Sequence, residues 1–596
     1  MRNRQLLTWV TVVVLLAGGV VFAQSQEDID QGLKDNWGAF LHYTAIGRFD
    51  LAKGFGEKLI SESPDPTALL DLSEANAEGY RLLLKMNTDS DQLREVSGKV
   101  LDLIEQGRFI RRTDPKIINQ EILRLSTTIR GRIAAEERLR NAGEYAIPYM
   151  LAALADEGRK NEFAYITDAL PKIGRGAVRP LTAALQMDNA AVKGEVIRAL
   201  GKIGTMEPLS YLKYAAEKDG SETYRALAVS AIEQIDGEAL KSPAAEQFFR
   251  LGEAYYDRND VLSPAADYDF ANVWFWDTEK QALVRQEVDK KYFNELMAMR
   301  CCEAALKADA GLGKAIGLWI ASFYRAESAG VAMPAYFGEG HADARTYATT
   351  AGAEYLHQAL ERAIKDKDAY VALGVVEALA VNAGEKSLLY RVGTSQPLAE
   401  ALSFTDRKVR YSAAIAFAEA GPVTPFVGSE LIVQHLAAAL IEEGAEETGP
   451  TLAPQYATRA VQAMYKLALS RNKIVDLSLA QSALVAVTER TAPEMQIAAG
   501  EVLAYLGSPE AQRAIAAMAM NEQNDKDVRL SAFASLALSA KLNANLLLSE
   551  QVDALYTLVS STEADAELRA GAAGAFGTLN LPSERVKTLI LDQAKS

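Results

Sequence analysis

Cysteine is nearly absent from this chain of 596 residues, which contains only Cys301 and Cys302. A disulfide between adjacent residues strains the backbone, and the chain has no third cysteine to pair with either one. Disulfide bonds are therefore excluded as a source of stability. We expect both side chains to be buried thiols on a helix.

Histidine is also scarce, and the sequence carries no metal-binding or catalytic motif. The histidines are His42, His341, His357 and His435, and none has a cysteine or histidine at the spacing of a metal site. The G-x-S-x-G, H-E-x-x-H and C-x-x-C-H motifs are missing. The segment GLGKAIG imitates a phosphate-binding loop but follows a predicted helix instead of a strand. The sequence therefore predicts no catalytic residue, no metal and no cofactor.

A concentration of positive charge is missing as well. The chain has 63 basic and 79 acidic residues, a formal net charge of -16, and no dense basic run. A surface that follows nucleic-acid phosphates needs clustered lysine and arginine, so nucleic acid is not an expected partner. Because hydrophobic residues make up 49% and charged residues 24%, we expect the chain to fold. At this length it should form several units or one extended repeat array.

The N-terminus differs from the rest of the chain. Arg2 and Arg4 precede an apolar run from Leu6 to Ala23, which ends with small residues at the positions that a signal peptidase reads. This pattern predicts a secretory signal peptide at residues 1–23, and hence a periplasmic or secreted protein. An uncleaved N-terminal anchor is the alternative, since a run of this length nearly spans a bilayer. No cysteine follows the run, which excludes a lipoprotein anchor.

Internal repeats are the strongest signal in the sequence. The segments AAVKGEVIRALGKIG, DRKVRYSAAIAFAEAG, DKDVRLSAFASLALSA and DAELRAGAAGAFGTLN align without gaps, and five further copies share their frame. Each copy has a large apolar residue, here called the landmark: Leu170, Leu200, Ile232, Leu379, Phe417, Met464, Leu503, Leu536 and Phe576. Alanine precedes the landmark in seven copies: Ala169, Ala199, Ala231, Ala378, Ala416, Ala463 and Ala575. A small side chain there lets neighbouring helices approach closely, while the landmark fills the layer beneath.

Each repeated helix also carries a predicted start signal. Good N-cap residues stand eleven positions before six of the landmarks: Asn189, Ser221, Asp368, Asp406, Asp525 and Asp565. A basic residue follows in five copies: Lys193, Arg225, Arg410, Arg529 and Arg569. The copy that ends at Leu170 has Glu162-Phe163 in place of the usual Val-Arg, and the Met464 copy has Ala453 at the cap position. We expect these two copies to pack irregularly.

This pattern resembles the HEAT repeat, an armadillo-type pair of antiparallel helices, over residues 131–236 and 353–596. The resemblance implies that the capping aspartate and the following arginine hold successive repeats in register, so we interpret both as structural. Some HEAT-like families are lyases that attach bilin chromophores in the cytosol. The resemblance alone therefore does not exclude an enzyme, although the predicted signal peptide argues against that class.

A second type of helical hairpin is indicated near residue 50 and again around residues 248–310. The first segment carries Tyr43, Gly47, Phe49, Ala52 and Pro64. The second carries Phe248, Leu251, Gly252 and Tyr255, followed later by Ala298, Cys302, Ala305 and Ala310. At these spacings both resemble tetratricopeptide repeats, with Cys302 and Ala310 replacing the usual aromatic residue and proline.

An insertion interrupts the second of these hairpins. Tyr255 and Ala298 lie 43 positions apart (298 − 255), far more than the family spacing. Within the surplus, NVWFW and LVRQEV are rich in β-branched and aromatic residues and flank the polar DTEKQA, which predicts a β-hairpin at about 270–290. Alternation places Val273 and Phe275 on one side and Trp274 and Trp276 on the other. At least one side must pack on the helices, since an isolated hairpin is marginal in water.

A long connection, SAGVAMPAYFGEGHADARTY, follows the next predicted helix. In a stack of helical hairpins it should emerge on the same edge as the β-hairpin. We therefore predict a composite partner-binding surface, with aromatic anchors and an arginine of the kind found at interface hot spots. Its residues are Trp274, Trp276, Tyr336, Phe337, His341 and Arg345. The alternative is that these rings cap the helices and bury one another.

These observations lead to one architecture and three classes of function. The fold class is all-α, a right-handed α-α superhelix of the ARM, HEAT and tetratricopeptide kind, with one small β-hairpin insertion. The predicted regions are 1–23 (signal peptide), 24–130 (tetratricopeptide-like), 131–236 (first HEAT array), 237–352 (tetratricopeptide-like, with insertions) and 353–596 (second HEAT array). The favoured function is a non-enzymatic, exported scaffold that binds a protein or peptide. The alternatives are an enzyme that uses Glu339, His341 or Arg345, and a self-assembling envelope protein.

Overall fold

The computed structural model describes residues 26–264, 268–334, 341–382, 384–441, 455–489 and 492–584, with 587, 588, 590 and 591. The predicted signal peptide therefore lies outside the described residues. The chain divides into two compact units. The first comprises residues up to Ile203 with Trp276–Leu283, and the second comprises Gly204–Phe275 with Val284–Ser596.

The first unit is built from consecutive antiparallel helices. They are α1 (Gln26–Ala45), α2 (Phe49–Ser61), α3 (Pro66–Ala75), α4 (Ala77–Asp89), α5 (Arg94–Thr113), α6 (Pro115–Arg124), α7 (Ile129–Ala142), α8 (Ile147–Ala155), α9 (Phe163–Ala169), α10 (Val178–Ala184) and α11 (Ala190–Ile203). Short 3-10 turns lie at Gly143–Ala146, Glu157–Arg159 and Leu170–Ala177. In the first hairpin, Gly47 has a φ of 74° in the turn between α1 and α2. Ala52 is fully buried and Tyr43 stacks on Phe55 at 5.5 Å.

The second unit continues the pattern. Its helices are α12 (Leu209–Lys218), α13 (Glu222–Asp236), α14 (Ala244–Tyr256), α15 (Phe293–Ala308), α16 (Lys314–Ser328), α17 (Ala344–Thr350), α18 (Ala353–Asp366), α19 (Ala369–Asn382), α20 (Glu385–Leu388), α21 (Pro397–Ala401), α22 (Arg407–Ala420), α23 (Glu430–Ile441), α24 (Tyr456–Leu469), α25 (Gln481–Thr488), α26 (Pro493–Leu503), α27 (Pro509–Met520), α28 (Lys526–Asn543), α29 (Ser549–Ser560) and α30 (Ala566–Thr578). Short 3-10 turns lie at Gly237–Lys241, Lys290–Tyr292 and Leu477–Ala480. One continuous apolar core runs through this unit from Phe248 to Leu579.

The landmark pattern is confirmed by burial. All nine landmark side chains are buried, and so are the seven alanines that precede them. The all-α fold class with one small β-hairpin is confirmed as well. The predicted boundaries at residues 130, 236 and 352 stay predictions.

The two copies with departures from the pattern are irregular, as expected. The Leu170 copy ends its helix at Ala169 and continues as a 3-10 turn with Gly174 at a φ of 74°. In the Met464 copy, α24 begins at Tyr456 after Gln455, which has a φ of 62° and makes no side-chain cap bond. Ala453 lies outside the described residues.

Four of the six predicted caps accept a hydrogen bond from the first turn of their helix: Asn189, Asp368, Asp406 and Asp565. The prediction was wrong for Ser221 and Asp525, whose side chains make no cap bond although they occupy the N-cap position. Asn189 and Asp368 accept from the third residue after the cap, and Asp406 and Asp565 also accept from the second. Residue type therefore predicted the N-cap position correctly. Whether the side chain at that position accepts a hydrogen bond depends on its orientation.

The arginine of the repeat has a more local role than the family resemblance implied. Arg529 donates from Nε to the carbonyl of Ala519 at the end of α27 (3.0 Å). Arg569 donates to the carbonyl of Ser561 just after α29 (2.9 Å), and Arg410 donates to that of Phe404 just after α21 (2.7 Å). Each guanidinium satisfies carbonyls left over at the end of the preceding helix. It thus ties together the two helices of one repeat.

Asparagines outside the landmark and cap positions provide contacts between repeats. Asn472 follows α24 and donates to the carbonyl of Pro422, which follows α22 (2.8 Å). Asn543 ends α28 and donates to the carbonyl of Leu506, which follows α26 (3.2 Å). These bonds fix the turns between successive repeats relative to one another.

Candidate functional site

The insertion forms the predicted β-hairpin. Strand β1 (Phe270–Asp277) pairs with β2 (Ala282–Asp289), in agreement with the expected strands and turn. Four consecutive residues of β1, from Ala271 to Trp274, are buried, so both faces of this part of the strand are covered. The simple alternation of a half-exposed strand does not hold there.

Trp274, the first predicted anchor, is part of the core. Its side chain is 5% exposed, and its carbonyl accepts a hydrogen bond from Nη2 of Arg300 on α15 (3.2 Å). The guanidinium carbon of Arg300 also lies 4.2 Å from the ring centroid of Phe275. A single arginine therefore fixes β1 to α15 through a hydrogen bond and a cation–π contact. The ring of Trp274 is therefore buried in the free protein.

Trp276 is half-buried and belongs to the first unit. Its indole Nε1 is buried and has no hydrogen-bond partner. Also in this unit, the hairpin turn is anchored by Gln281, whose Nε2 donates to Oδ2 of Asp188 (2.9 Å). The turn residues Thr278–Lys280 are exposed. The ring of Trp276 is thus partly exposed, whereas its indole donor is buried.

The second predicted loop is described only in part. Tyr336 and Phe337 lie outside the described residues, and so does Glu339 of the enzyme hypothesis. His341 and Arg345 are both exposed. Arg345 lies on α17, which Asp343 caps through the backbone N–H of Thr346 (2.8 Å). The predicted proximity of this loop to the β-hairpin stays a prediction.

The buried thiols and histidines are not set up for chemistry. Cys301 and Cys302 are buried on α15 as expected, and burial raises the pKa of both thiols far above its usual range. A thiol with a raised pKa is a poor nucleophile. His357 is fully buried and its Nε2 lies 2.7 Å from the carbonyl of Ser387, while burial lowers its pKa. His435 makes the same type of contact with the carbonyl of Leu402 (2.7 Å), and burial lowers its pKa too.

The strongest charge cluster in the second unit is structural. Arg325 donates to Oδ2 of Asp366 (2.8 Å) and of Asp368 (3.0 Å), and its guanidinium lies 3.7 Å from the ring centroid of Tyr256. These contacts join α14, α16 and the junction of α18 with α19. Burial raises the pKa of the Tyr256 hydroxyl well above its usual range. The cluster stabilises the stack and leaves no poised acid or base.

Two adjoining cavities form a groove along the turns that follow α22, α24 and α26, and we call it the edge groove. The first cavity, of about 520 Å³, is lined by residues that include Leu477, Tyr505 and Leu542. The second, of about 560 Å³, is lined by residues that include Gly421, Val423 and Lys473. Three residues line both cavities: Leu467, Arg471 and Asn472. The volumes fall in the usual range of ligand sites, about 300–1,000 Å³.

Exposed apolar and basic side chains surround this groove. Val423 is 72% exposed and Leu542 is 37% exposed, although both line it. Lys466, Arg471 and Lys473 line the second cavity and are exposed. Apolar area next to unsatisfied charge is a feature of surfaces that bind other proteins.

Comparison with known proteins supports the repeat assignment in the middle of the chain. A family model described as HEAT repeats matches residues 147–233. The matched stretch runs from α8 into α13 and contains the first three landmarks, Leu170, Leu200 and Ile232. No curated protein matches the chain.

Solved structures resemble this chain at low identity. A structure of importin beta is 13% identical and covers 92% of this chain and 71% of its own, with a TM-score of 0.26. A structure of She4p is 10% identical and covers 93% and 74%, with a TM-score of 0.28. An engineered protein is 16% identical and covers 92% and 99%, with a TM-score of 0.22.

Two kinds of feature are absent from the described residues. Among them, no helix is both long and apolar enough to cross a membrane. In that same part of the chain, no group of three or more His, Cys, Asp and Glu side chains is placed to hold a metal ion.

Proposed function

We propose that the protein is an exported, non-enzymatic scaffold that binds a protein or peptide partner, with the edge groove as its main contact surface. The observation that carries this proposal is the groove itself. Two cavities of about 520 and 560 Å³ adjoin along the turns between repeats, and apolar side chains are exposed on their lining. Export is supported by the signal-peptide pattern of residues 1–23.

The groove is suited to binding because its floor is fixed before any partner arrives. Asn472 and Asn543 hydrogen-bond to carbonyls of the turn one repeat earlier, at 2.8 and 3.2 Å. The side chain of Asn472 also accepts from the backbone N–H groups of Ile474 and Val475. A preorganised surface loses less conformational entropy on binding.

A non-catalytic role agrees with the state of the ionisable groups. The thiols are protonated by burial, the buried histidines contact backbone carbonyls, and the Arg325 cluster is paired. A catalytic site normally holds an accessible group whose pKa is shifted towards its task. None of these groups combines access with such a shift.

The half-buried indole of Trp276 favours the β-hairpin as a second contact surface. Its Nε1 is a donor without a partner in the described part of the chain. A partner could cover the exposed part of the ring, as happens to tryptophan at interface hot spots. Trp274 is not available for this role because it is buried.

Selection of peptides from a display library on the immobilised full chain tests the proposal. We expect enrichment of peptides that bind saturably and compete with one another for one site. A matched selection on a Val423→Glu and Leu542→Glu double variant should lose these peptides, because it places carboxylates on the apolar lining. A selection that returns no saturable binder would contradict the proposed function.

A further inference from the structure

We infer that the edge groove takes an acidic peptide segment, whose carboxylates bind Arg471, Lys466 and Lys473 while an apolar side chain enters the neighbouring cavity. This inference rests on the proposed function and adds the chemistry of the partner. The charge of the groove, the backbone at Arg471 and the division between its two cavities point to this class of ligand.

The first observation is local charge of the opposite sign to the chain. Three cations, Lys466, Arg471 and Lys473, line the second cavity, whose lining contains one carboxylate, Glu419. The lining of the second cavity thus carries a formal charge of +2 (three minus one), and the whole groove, whose first cavity adds Asp476, carries +1 (three minus two), on a chain of net charge -16. A positive cavity on a negative protein attracts an anionic segment that most of the remaining surface repels.

The second observation is that these cations are unused within the fold. In the described part of the chain, no carboxylate forms an ion pair with Lys466, Arg471 or Lys473. Other arginines of the second unit are engaged: Arg459 binds Glu377 at 2.9 Å, and Arg258 binds Glu295 at 2.8 Å. The groove cations therefore remain available to a partner.

The third observation is the backbone conformation of Arg471. Its φ is 50°, in the left-handed region that favours glycine. The N–H of Arg471 bonds to the carbonyl of Ala468 (3.0 Å) and that of Asn472 to the carbonyl of Leu467 (2.9 Å), which is the Schellman arrangement. At the end of α22, Gly421 occupies the left-handed position instead, with a φ of 64°. At Arg471 the chain accepts an unfavourable conformation and holds a guanidinium at the junction of the two cavities.

The fourth observation is that leucine side chains line the first cavity, next to the basic second cavity. The basic side chains line the second cavity, whereas the first is lined by Leu477, Leu506 and Leu542 together with polar residues, among them the carboxylate Asp476. Arg471 lines both. An extended peptide advances about 3.3 Å per residue, so successive side chains of one segment can reach both parts. The guanidinium can bind a carboxylate through two parallel hydrogen bonds, which a lysine cannot do.

The test uses two glycine substitutions that are chemically alike and differ in position. Arg471→Gly removes a cation from the groove and places glycine where the backbone favours it. Lys367→Gly does the same at the end of α18, where Lys367 has a φ of 57° and makes the corresponding Schellman bonds. Lys367 does not line the groove. Both variants should fold, since glycine is the preferred residue at each position.

The probe is a fluorescein-labelled peptide of about a dozen residues, long enough for an extended segment to span both parts of the groove. It alternates glutamate with leucine. The control peptide has lysine in place of glutamate. Fluorescence anisotropy with the full chain should show saturable binding of the acidic peptide, weakened by added salt. Arg471→Gly should weaken binding about tenfold, as expected for one lost charge-assisted contact. Lys367→Gly should leave the affinity unchanged.

The inference is overturned if both variants bind the acidic peptide as the unmodified chain does, or if the lysine peptide binds equally well. It is also overturned if the acidic peptide fails to bind while the display selection returns peptides of other composition; the proposed function then stands. If neither the acidic peptide nor any selected peptide binds, both fall.

Discussion

The aromatic insert and the edge groove use their side chains in opposite ways. In the insert, Trp274 is buried, and Arg300 contacts both the Trp274 carbonyl and the ring of Phe275. In the groove, Val423 is 72% exposed, and Arg471 lies in an unfavourable backbone conformation without an ion-pair partner among the described residues. The aromatic residues of the β-hairpin insertion thus mainly stabilise the fold. The basic and apolar side chains of the edge groove make few contacts within the protein and stay exposed.

This contrast gives a criterion for locating function on a helical repeat protein. A cluster of aromatic residues suggests a binding site, but large aromatic side chains are also commonly buried, where they pack an insertion onto the rest of the fold. Unsatisfied charge beside exposed apolar area is more informative, because neither feature stabilises the free protein. Substitutions in the insert should therefore change stability, and substitutions in the groove should change binding.

The largest expected effect is at Trp274. Trp274→Ala should lower the free energy of unfolding of the second unit by about 3–5 kcal/mol, because it removes a buried ring and leaves a cavity. Denaturant titration followed by circular dichroism measures it. Trp276→Ala should cost less, since Trp276 is half-buried. Equal and small losses at the two positions would show that Trp274 is not core.

Arg300 should have the next largest effect. Arg300→Met removes the hydrogen bond to the Trp274 carbonyl and the contact with Phe275 but keeps an apolar side chain. We expect a loss of about 1–3 kcal/mol, chiefly from the unsatisfied carbonyl. The same denaturant titration measures this loss, and the affinity for the acidic peptide should not change. Reduced affinity with unchanged stability would assign Arg300 to a binding surface and contradict a purely structural role for it.

The helix caps allow a smaller and matched test. Asp406→Ala should cost about 1 kcal/mol, because Asp406 accepts from the backbone N–H groups of Lys408 and Val409. Asp525→Ala should have much less effect, since Asp525 makes no cap bond. Thermal unfolding of the two variants side by side measures the difference. A larger shift for Asp525→Ala would contradict the assigned bonds.

Lowering the pH should reduce the stability of the fold without changing the affinity of the groove for the acidic peptide. Burial holds the pKa of His357 and His435 below the usual 6.5, so both favour the neutral form in the folded chain. As the pH falls below 6.5, the unfolded chain takes up protons that the folded chain does not, and stability is lost. Binding of the acidic peptide should not change between pH 7 and 6, because arginine, lysine and glutamate side chains ordinarily keep their charges over that interval.

A His357→Gln and His435→Gln double variant isolates this effect, because glutamine can still donate a hydrogen bond but does not titrate. Its melting temperature should depend less on pH between 7 and 5 than that of the unmodified chain. An unchanged pH dependence would show that other groups cause the acid lability.

Much of the fold could be predicted because each repeat shows the same spacing of apolar, small and capping residues. The landmark residues, their alanines, the N-cap positions and the strands of the insert all followed from spacing and residue type. The bonds of Ser221 and Asp525 could not be predicted, because side-chain orientation at a cap depends on the local turn. The role of Arg529 within one repeat likewise needed the position of the preceding helix end.

The groove could not be predicted because its parts are distant in sequence. Val423 and Arg471 come from two different turns and Leu542 from the end of α28, and they meet only through the stacking of repeats. A weak signal did exist: the segment KLALSRNK, residues 466–473, has three basic residues and no acidic one in an acidic chain. The burial of Trp274 could not be predicted either, because the alternation of residues along a strand does not show which face packs against the helices.

Photo-cross-linking with the acidic probe peptide tests the contrast between the two regions most directly. A benzophenone side chain is placed at Ser478, which lines the groove, or at Glu279, which is exposed in the hairpin turn. We predict that illumination with the peptide labels the chain at position 478, that unlabelled peptide competes for it, and that position 279 stays unlabelled. Labelling at position 279 alone would contradict the account.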